Sequence, residues 1–190
     1  MRLPLAIAIL TFAPLAPAAD DIRVTIASGP VLPKGGEAVL VSAGTTPSPT
    51  GKDFQAVLRT KEFGKELEIA GVGPFDVYYT PKGGRPVLAF AGWKLVKGAN
   101  ELKLGSHLGT VFVRGDDLPR SGGLAITATD DPGPGAKGHV PVQSVQDYKE
   151  DIVVPAGFYS VWLISANGAK AQRIADKVRV LAGRQTVVPE

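Results

Sequence analysis

The chain has 190 residues, no cysteine and a formal charge of +3. Without thiols it cannot use a cysteine nucleophile, a zinc–cysteine site, an iron–sulfur cluster or a disulfide. Its acidic and basic residues are interspersed, which favours solubility and lacks the concentrated basic footprint of a nucleic-acid binder.

Residues 1–18 read as a signal peptide. Arg2 supplies the positive start, Leu3 to Leu15 is mostly apolar, and Ala16-Pro17-Ala18 gives a small-x-small cleavage site. The apolar run is too short and too broken by Pro4 and Pro14 to span a bilayer. A lipoprotein is excluded because there is no cysteine to acylate. The mature chain is expected to begin near Ala19 and to be periplasmic or secreted, with no membrane span.

From there the sequence reads as short strands with period two, separated by Gly, Pro and Asn. The first set runs through 23–26, 38–42, 54–58, 67–69, 75–80, 86–90, 93–96 and 101–104. The second runs through 110–113, 124–129, 140–145, 152–154, 158–164, 170–174, 178–181 and 185–188. Only Gln143 to Tyr148 is read as a helical turn. Asn167-Gly168 between two strand runs predicts a type I′ hairpin, in which both central residues need positive φ. Gly83-Gly84 offers the same freedom earlier.

The two sets are copies of one pattern, recurring at an offset of about 84 to 87 residues. Leu32-Pro33-Lys34 with Gly35-Gly36 returns as Leu118-Pro119-Arg120 with Gly122-Gly123. Pro47, Pro49 and Lys52 return as Pro132, Pro134 and Lys137. Gly73 to Tyr78 answers to Gly157 to Trp162, and Lys94 to Gly98 to Arg179 to Gly183. A period this long fits a whole small domain rather than a solenoid unit. The expected organisation is a first β-sandwich over 19–104, a linker over 105–109 and a second β-sandwich over 110–190. The fold class is all-β, two tandem Ig-like antiparallel sandwiches. Each copy is small enough to bury only about 60 to 65% of its unfolded surface.

The run Val154-Pro155-Ala156-Gly157-Phe158-Tyr159-Ser160-Val161-Trp162 resembles the Pro-x-Gly-x-Tyr-x-Val signature of carboxypeptidase regulatory-like (prealbumin-like) domains. Val178 to Val188 is similar to that family's last hairpin. In the first copy Gly73-Pro74 inverts the order and Phe75 replaces the tyrosine. The resemblance implies a seven-stranded sandwich acting as an accessory or binding module.

Candidate chemistry is sparse. His107 falls in the linker and His139 after a Gly-rich loop, neither matched in the other copy, and there is no Gly-x-Ser-x-Gly elbow. Asp20-Asp21, Asp116-Asp117 and Asp130-Asp131 read as turn residues rather than calcium ligands. No catalytic residue, metal or cofactor is expected, and the chain is read as not an enzyme. The aromatics carry more information. If Phe75, Val77 and Tyr79 face one core and Tyr159, Val161 and Leu163 the other, Tyr78 and Trp162 face outward at equivalent positions. Such rings suit a ligand or partner face, or pack under a loop or between the copies. Trp93, in phase with Leu95, is assigned to the core. Arg173, Lys177, Arg179 and Arg184 read as a charged strand edge that resists pairing.

The leading reading is an exported non-catalytic interaction module of the cell envelope, engaging a protein or a glycan through its sheet faces or its Pro-rich loops. A small hydrolase or metal-dependent enzyme using Asp130, Asp131 and His139 is the rival from another class. A structural spacer is the third.

Overall fold

The computed structural model describes residues 22–45, 55–115, 118 and 121–189. The expected signal peptide over 1–18, the segment carrying Pro47, Pro49 and Lys52, and Asp116-Asp117 lie outside the described residues.

The fold is all-β, with two sandwiches in series. In the first, β1 (Ile22–Ala27), β4 (Glu66–Glu68) and β7 (Gly98–Lys103) form a sheet in the order β4-β1-β7. It faces a second sheet of β2 (Glu37–Ser42), β3 (Leu58–Thr60), β5 (Phe75–Thr80) and β6 (Val87–Trp93), ordered β3-β2-β5-β6. The second sandwich uses β8 (Leu108–Arg114), β9 (Gly122–Ala128), β10 (Gln143–Val145), β11 (Ile152–Pro155), β12 (Gly157–Ser165), β13 (Ala171–Val180) and β14 (Gln185–Pro189). Its sheets run β11-β8-β14 and β10-β9-β12-β13, so the strand order of the first half recurs strand for strand. All pairs are antiparallel but two: β1 with β7 and β8 with β14 run parallel.

Alternation explains the interior. Ile22, Val24 and Ile26 of β1 meet Ala38 and Leu40 of β2 and Phe75, Val77 and Tyr79 of β5 in one core. Val111, Val113, Leu124, Ile126, Tyr159, Val161 and Leu163 build the other. The Tyr79 hydroxyl donates to the Pro33 carbonyl at 2.7 Å, which gives the Leu-Pro-Lys segment its anchor. Gly36 next to it is obligatory, because a Cβ there would meet the Tyr79 ring. Trp93 packs, partly buried, against the first core.

Residues 104–108 are not a free tether. Leu104–Ser106 is one 3₁₀ turn, and Leu104 and Leu108 are fully buried in the first core together with Val153 of β11. Ala156 N–H donates to the His107 carbonyl at 3.0 Å and Gly183 N–H to that of Leu108 at 2.9 Å. The His107 ring stands edge-on to Phe90, centroids 4.8 Å apart. Beside this seam Gln143, only 1% exposed, serves the backbone of Arg85 twice. Its Nε2 donates to the Arg85 carbonyl at 3.0 Å, and its Oε1 accepts from the Arg85 N–H at 3.3 Å.

Four local expectations are corrected. Gln143 does not begin a helical turn: it starts β10, because its backbone pairs with Ile126 while its side chain reaches the other sandwich. The hairpin at Asn167-Gly168 exists, but only Gly168 has positive φ (69°), so the turn is not type I′. Instead Gly168 N–H closes on the Ser165 carbonyl, and the Asn167 carboxamide ties down the Ser165 hydroxyl and Ala169 N–H. The strands expected over 170–174 and 178–181 are one strand, β13, bulged at Lys177, and those expected over 86–90 and 93–96 are likewise one strand, β6, ending at Trp93.

Replacing Gln143 with Ala strands a part-buried donor and acceptor of Arg85. We expect a loss of about 1–3 kcal/mol in unfolding free energy, measured by chemical denaturation, with faster proteolysis near the seam.

Candidate functional site

Tyr78 and Trp162 occupy equivalent positions on the middle strands β5 and β12, and both side chains point away from their cores. Neither presents a free flat face. Tyr78 is 8% exposed and makes a small outer cluster with Val39, Val41 and, partly, Ala56. Its hydroxyl lies 3.5 Å from the Thr45 carbonyl. Burial, with the Asp76 charge adding to it, raises its pKa above the ordinary phenol value. Trp162 is half-buried, and its indole N–H donates to Thr127 Oγ1 at 3.1 Å. Gly133 lies so close that a Cβ would enter the ring, and the Arg173 guanidinium sits 5.5 Å from its centroid. Tyr78 is thus covered in part by Thr45 and Ala56, and Trp162 by the loop that follows β9, while Phe158, of the same outward parity on β12, stays 58% exposed.

The roof over Trp162 is organised by one carboxylate. Asp131 Oδ1 accepts from Gly133 N–H at 2.7 Å, and Oδ2 from Val140 N–H at 2.9 Å. His139 Nδ1 lies 2.7 Å from Oδ1. An ionised carboxylate can only accept, so the ring carries its proton on Nδ1. Burial pulls the Asp131 pKa upward, but these three donors and the His139 charge outweigh it and hold the carboxyl below its ordinary range. Successive turns, Ala136 N–H to Gly133 and His139 N–H to Ala136, fill the rest of the loop. The result is a pinned loop that displays Val140, 70% exposed.

The structure thus brings together two members of the proposed Asp130–Asp131–His139 set. Asp130 is exposed, and both Asp131 oxygens are already committed to backbone donors. Among the described residues no group of three or more His, Cys, Asp or Glu is arranged to hold a metal. His107 belongs to the seam.

Sequence reasoning missed a second pair of carboxylates. On β5, Asp76 is 8% exposed and accepts from Gly44 N–H and Gly92 N–H, both at 2.8 Å. Gly92 (φ 70°) bulges β6 against β5. The equivalent bulge in β13 is Lys177 (φ 53°), the one described non-glycine residue with positive φ. There Ser160 stands where Asp76 would be, and donates its hydroxyl to Asp176 at 2.7 Å. That bond, against partial burial and with help from Arg173 and the Lys177 N–H, keeps the Asp176 pKa low. A lone Asp inside Phe-Asp-Val-Tyr-Tyr was the available signal for Asp76.

No family model matches the chain, and the comparison with curated proteins finds no match. Among solved structures, the chain is similar over 90% of its length to 33% of the Bacillus anthracis TIE protein, at 14% identity and a TM-score of 0.30. It spans a third of that chain. Over 88% of its length it is similar to 95% of the major pilin from Streptococcus pyogenes, at 12% identity and a TM-score of 0.22.

Two outcomes follow from the Asp131 loop. Asp131 has a depressed folded pKa, so its stabilising contribution is full above the ordinary carboxylate pKa of about 3.9 and is lost as pH falls through the lower folded value. A thermal-stability profile against pH should therefore be flatter on the acid side in Asp131→Asn than in the wild type. Gly133→Ala, at φ 93° and against the indole, should cost about 1–3 kcal/mol and red-shift tryptophan emission.

Proposed function

We propose that this is an exported, non-catalytic interaction module of the cell envelope, and that the pinned loop from Asp130 to Pro141 is its recognition surface. The observation that carries the reading is the Asp131 fan of hydrogen bonds. It fixes a Pro/Gly-rich loop on a rigid sheet while leaving Val140 in solvent. Loops held by a scaffold are where recognition residues concentrate. Ordering before binding lowers the entropy cost of association, so the binding energy of a small exposed patch is less offset. The covered Tyr78 and Trp162 support the same reading, since neither offers a free ring to a partner. The partner is a protein or an envelope glycan, engaged after export to the periplasm or beyond.

One observation favours the hydrolase alternative: the 2.7 Å Asp131–His139 contact is the geometry of an oriented imidazole. The same contact serves as a loop pin, and the two uses separate experimentally. The tagged mature chain, incubated with envelope extract, should retain a partner that Val140→Glu loses without any fall in thermal stability. Equal capture by that variant removes the loop from consideration. Turnover of ester or glycoside substrates that vanishes in His139→Ala would instead establish the enzyme.

A further inference from the structure

The two sandwiches share a topology but differ on the outer face of their three-stranded sheets. On the first, that face is charged. Arg23 pairs with Glu66 at 3.0 Å, and on the edge strand β7 Lys103 pairs with Glu101 at 3.7 Å. Charges along an edge oppose pairing with another strand. On the second, the outward residues are Leu108, Thr110, Phe112 and, at the strand's end, Arg114 of β8, Val153 of β11, and Gln185 and Val187 of β14. Leu108 and Val153 are buried in the seam with the first core. Beyond the polar pair Thr110–Gln185, whose Gln185 Nε2 donates to Asp151 Oδ1 at 2.6 Å, half-buried Phe112 and Val187, 50% exposed, stand opposite each other in register toward the free edge. They border an open groove of about 1050 Å³.

The edge itself is unguarded. Residues 185–188 of β14 carry no charge. β14 is bonded on one side to β8, beginning with Thr110 N–H to the Arg184 carbonyl at 3.1 Å. Alternation along a parallel pair then turns the N–H and C=O of Gln185 and Val187 away from β8. The corresponding strand of the first sandwich guards the same position with Glu101 and Lys103.

We propose that β14 is a self-association edge: two copies of this chain pair antiparallel through it about a two-fold axis at Val187. The axis makes each Val187 exchange both backbone hydrogen bonds with its mate, and lets each Gln185 N–H meet the other copy's Pro189 carbonyl. Pro189, with no N–H, ends the ladder. The row Phe112–Val187 meets its own image on the same face, so an apolar patch forms across the joined sheet. A second copy is the occupant that fits, because residues near such an axis oppose themselves and any charge there would face its like. This strand has none. The inference goes beyond the loop reading, uses the opposite sheet of the sandwich, and stands or falls apart from it.

Sedimentation of the full mature chain tests it. The wild type should show a concentration-dependent dimer, a weak one because edge pairing buries less area than a stable dimer interface. Val187→Lys should raise its dissociation constant at least about tenfold. Val96→Lys, the same exchange at another exposed valine, should leave it unchanged, with thermal unfolding confirming that both variants fold. The chain has no native cysteine. Val187→Cys should therefore oxidise to a covalent dimer, since opposed Cα atoms about 5.5 Å apart are within disulfide reach, while Val96→Cys should not. A wild type that stays monomeric at every accessible concentration overturns the proposal. So does a dimer indifferent to Val187→Lys, or a β14 edge that captures a different protein instead.

Discussion

Each sandwich begins and ends on neighbouring strands that run the same way, and the rest of the molecule follows from that pairing. Ile22 pairs with Gly98 at one end of the first sandwich, and Ala27 with Lys103 at the other. A chain that returns parallel to its own start must leave from the end opposite to where it entered. Only a few residues separate Lys103 from Leu108, so the second sandwich begins where the first finishes. An antiparallel return would have put both chain ends on one side and folded the copies back against each other. The parallel return also joins residues far apart in sequence, which places β7 and β14 among the slowest contacts to form.

The two bulges show how one backbone requirement can be met by different side chains. Each middle hairpin needs a positive-φ residue, and each has an amide there that must find an acceptor. The first copy supplies a glycine and a carboxylate from the facing strand, Asp76. The second uses Lys177 and moves the carboxylate next door to Asp176, with Ser160 closing the gap left on β12. The non-glycine left-handed residue costs energy, and the low-pKa carboxylate beside it offsets part of that cost. Exchanges of this kind explain why the topology repeats strand for strand while residue matches are faint. What is preserved is the hydrogen-bond account, and several residue sets can balance it.

That is also why some features were legible in the sequence and others were not. Period-two alternation assigned Phe75, Val77 and Tyr79 to one core and Tyr159, Val161 and Leu163 to another, because a strand's face is a local property. The same parity turned Tyr78 and Trp162 outward, and outward they point. That they pack under a loop was one of the readings the residues left open; which residues cover them was not readable, since it depends on Thr45, Ala56 and Gly133 arriving from distant loops. Gln143 was misread for the same reason: its partners on Arg85 lie in the other sandwich. Asn167-Gly168 gave the hairpin but not its geometry, because Asn167 uses its carboxamide as a turn acceptor rather than taking positive φ itself. Asp131 looked like one of several turn aspartates. Only the fold reveals that it gathers three donors.

The seam bears on stability as well as shape. A sandwich of about 80 residues is marginal alone, and exported domains of that size commonly rely on disulfides that this chain lacks. Leu108 and Val153 of the second sandwich bury their side chains completely in the first core. At roughly 1.5–3 kcal/mol for each aliphatic chain, that burial contributes on the order of 3–6 kcal/mol before ordering costs. Contacts of that size couple the two sandwiches.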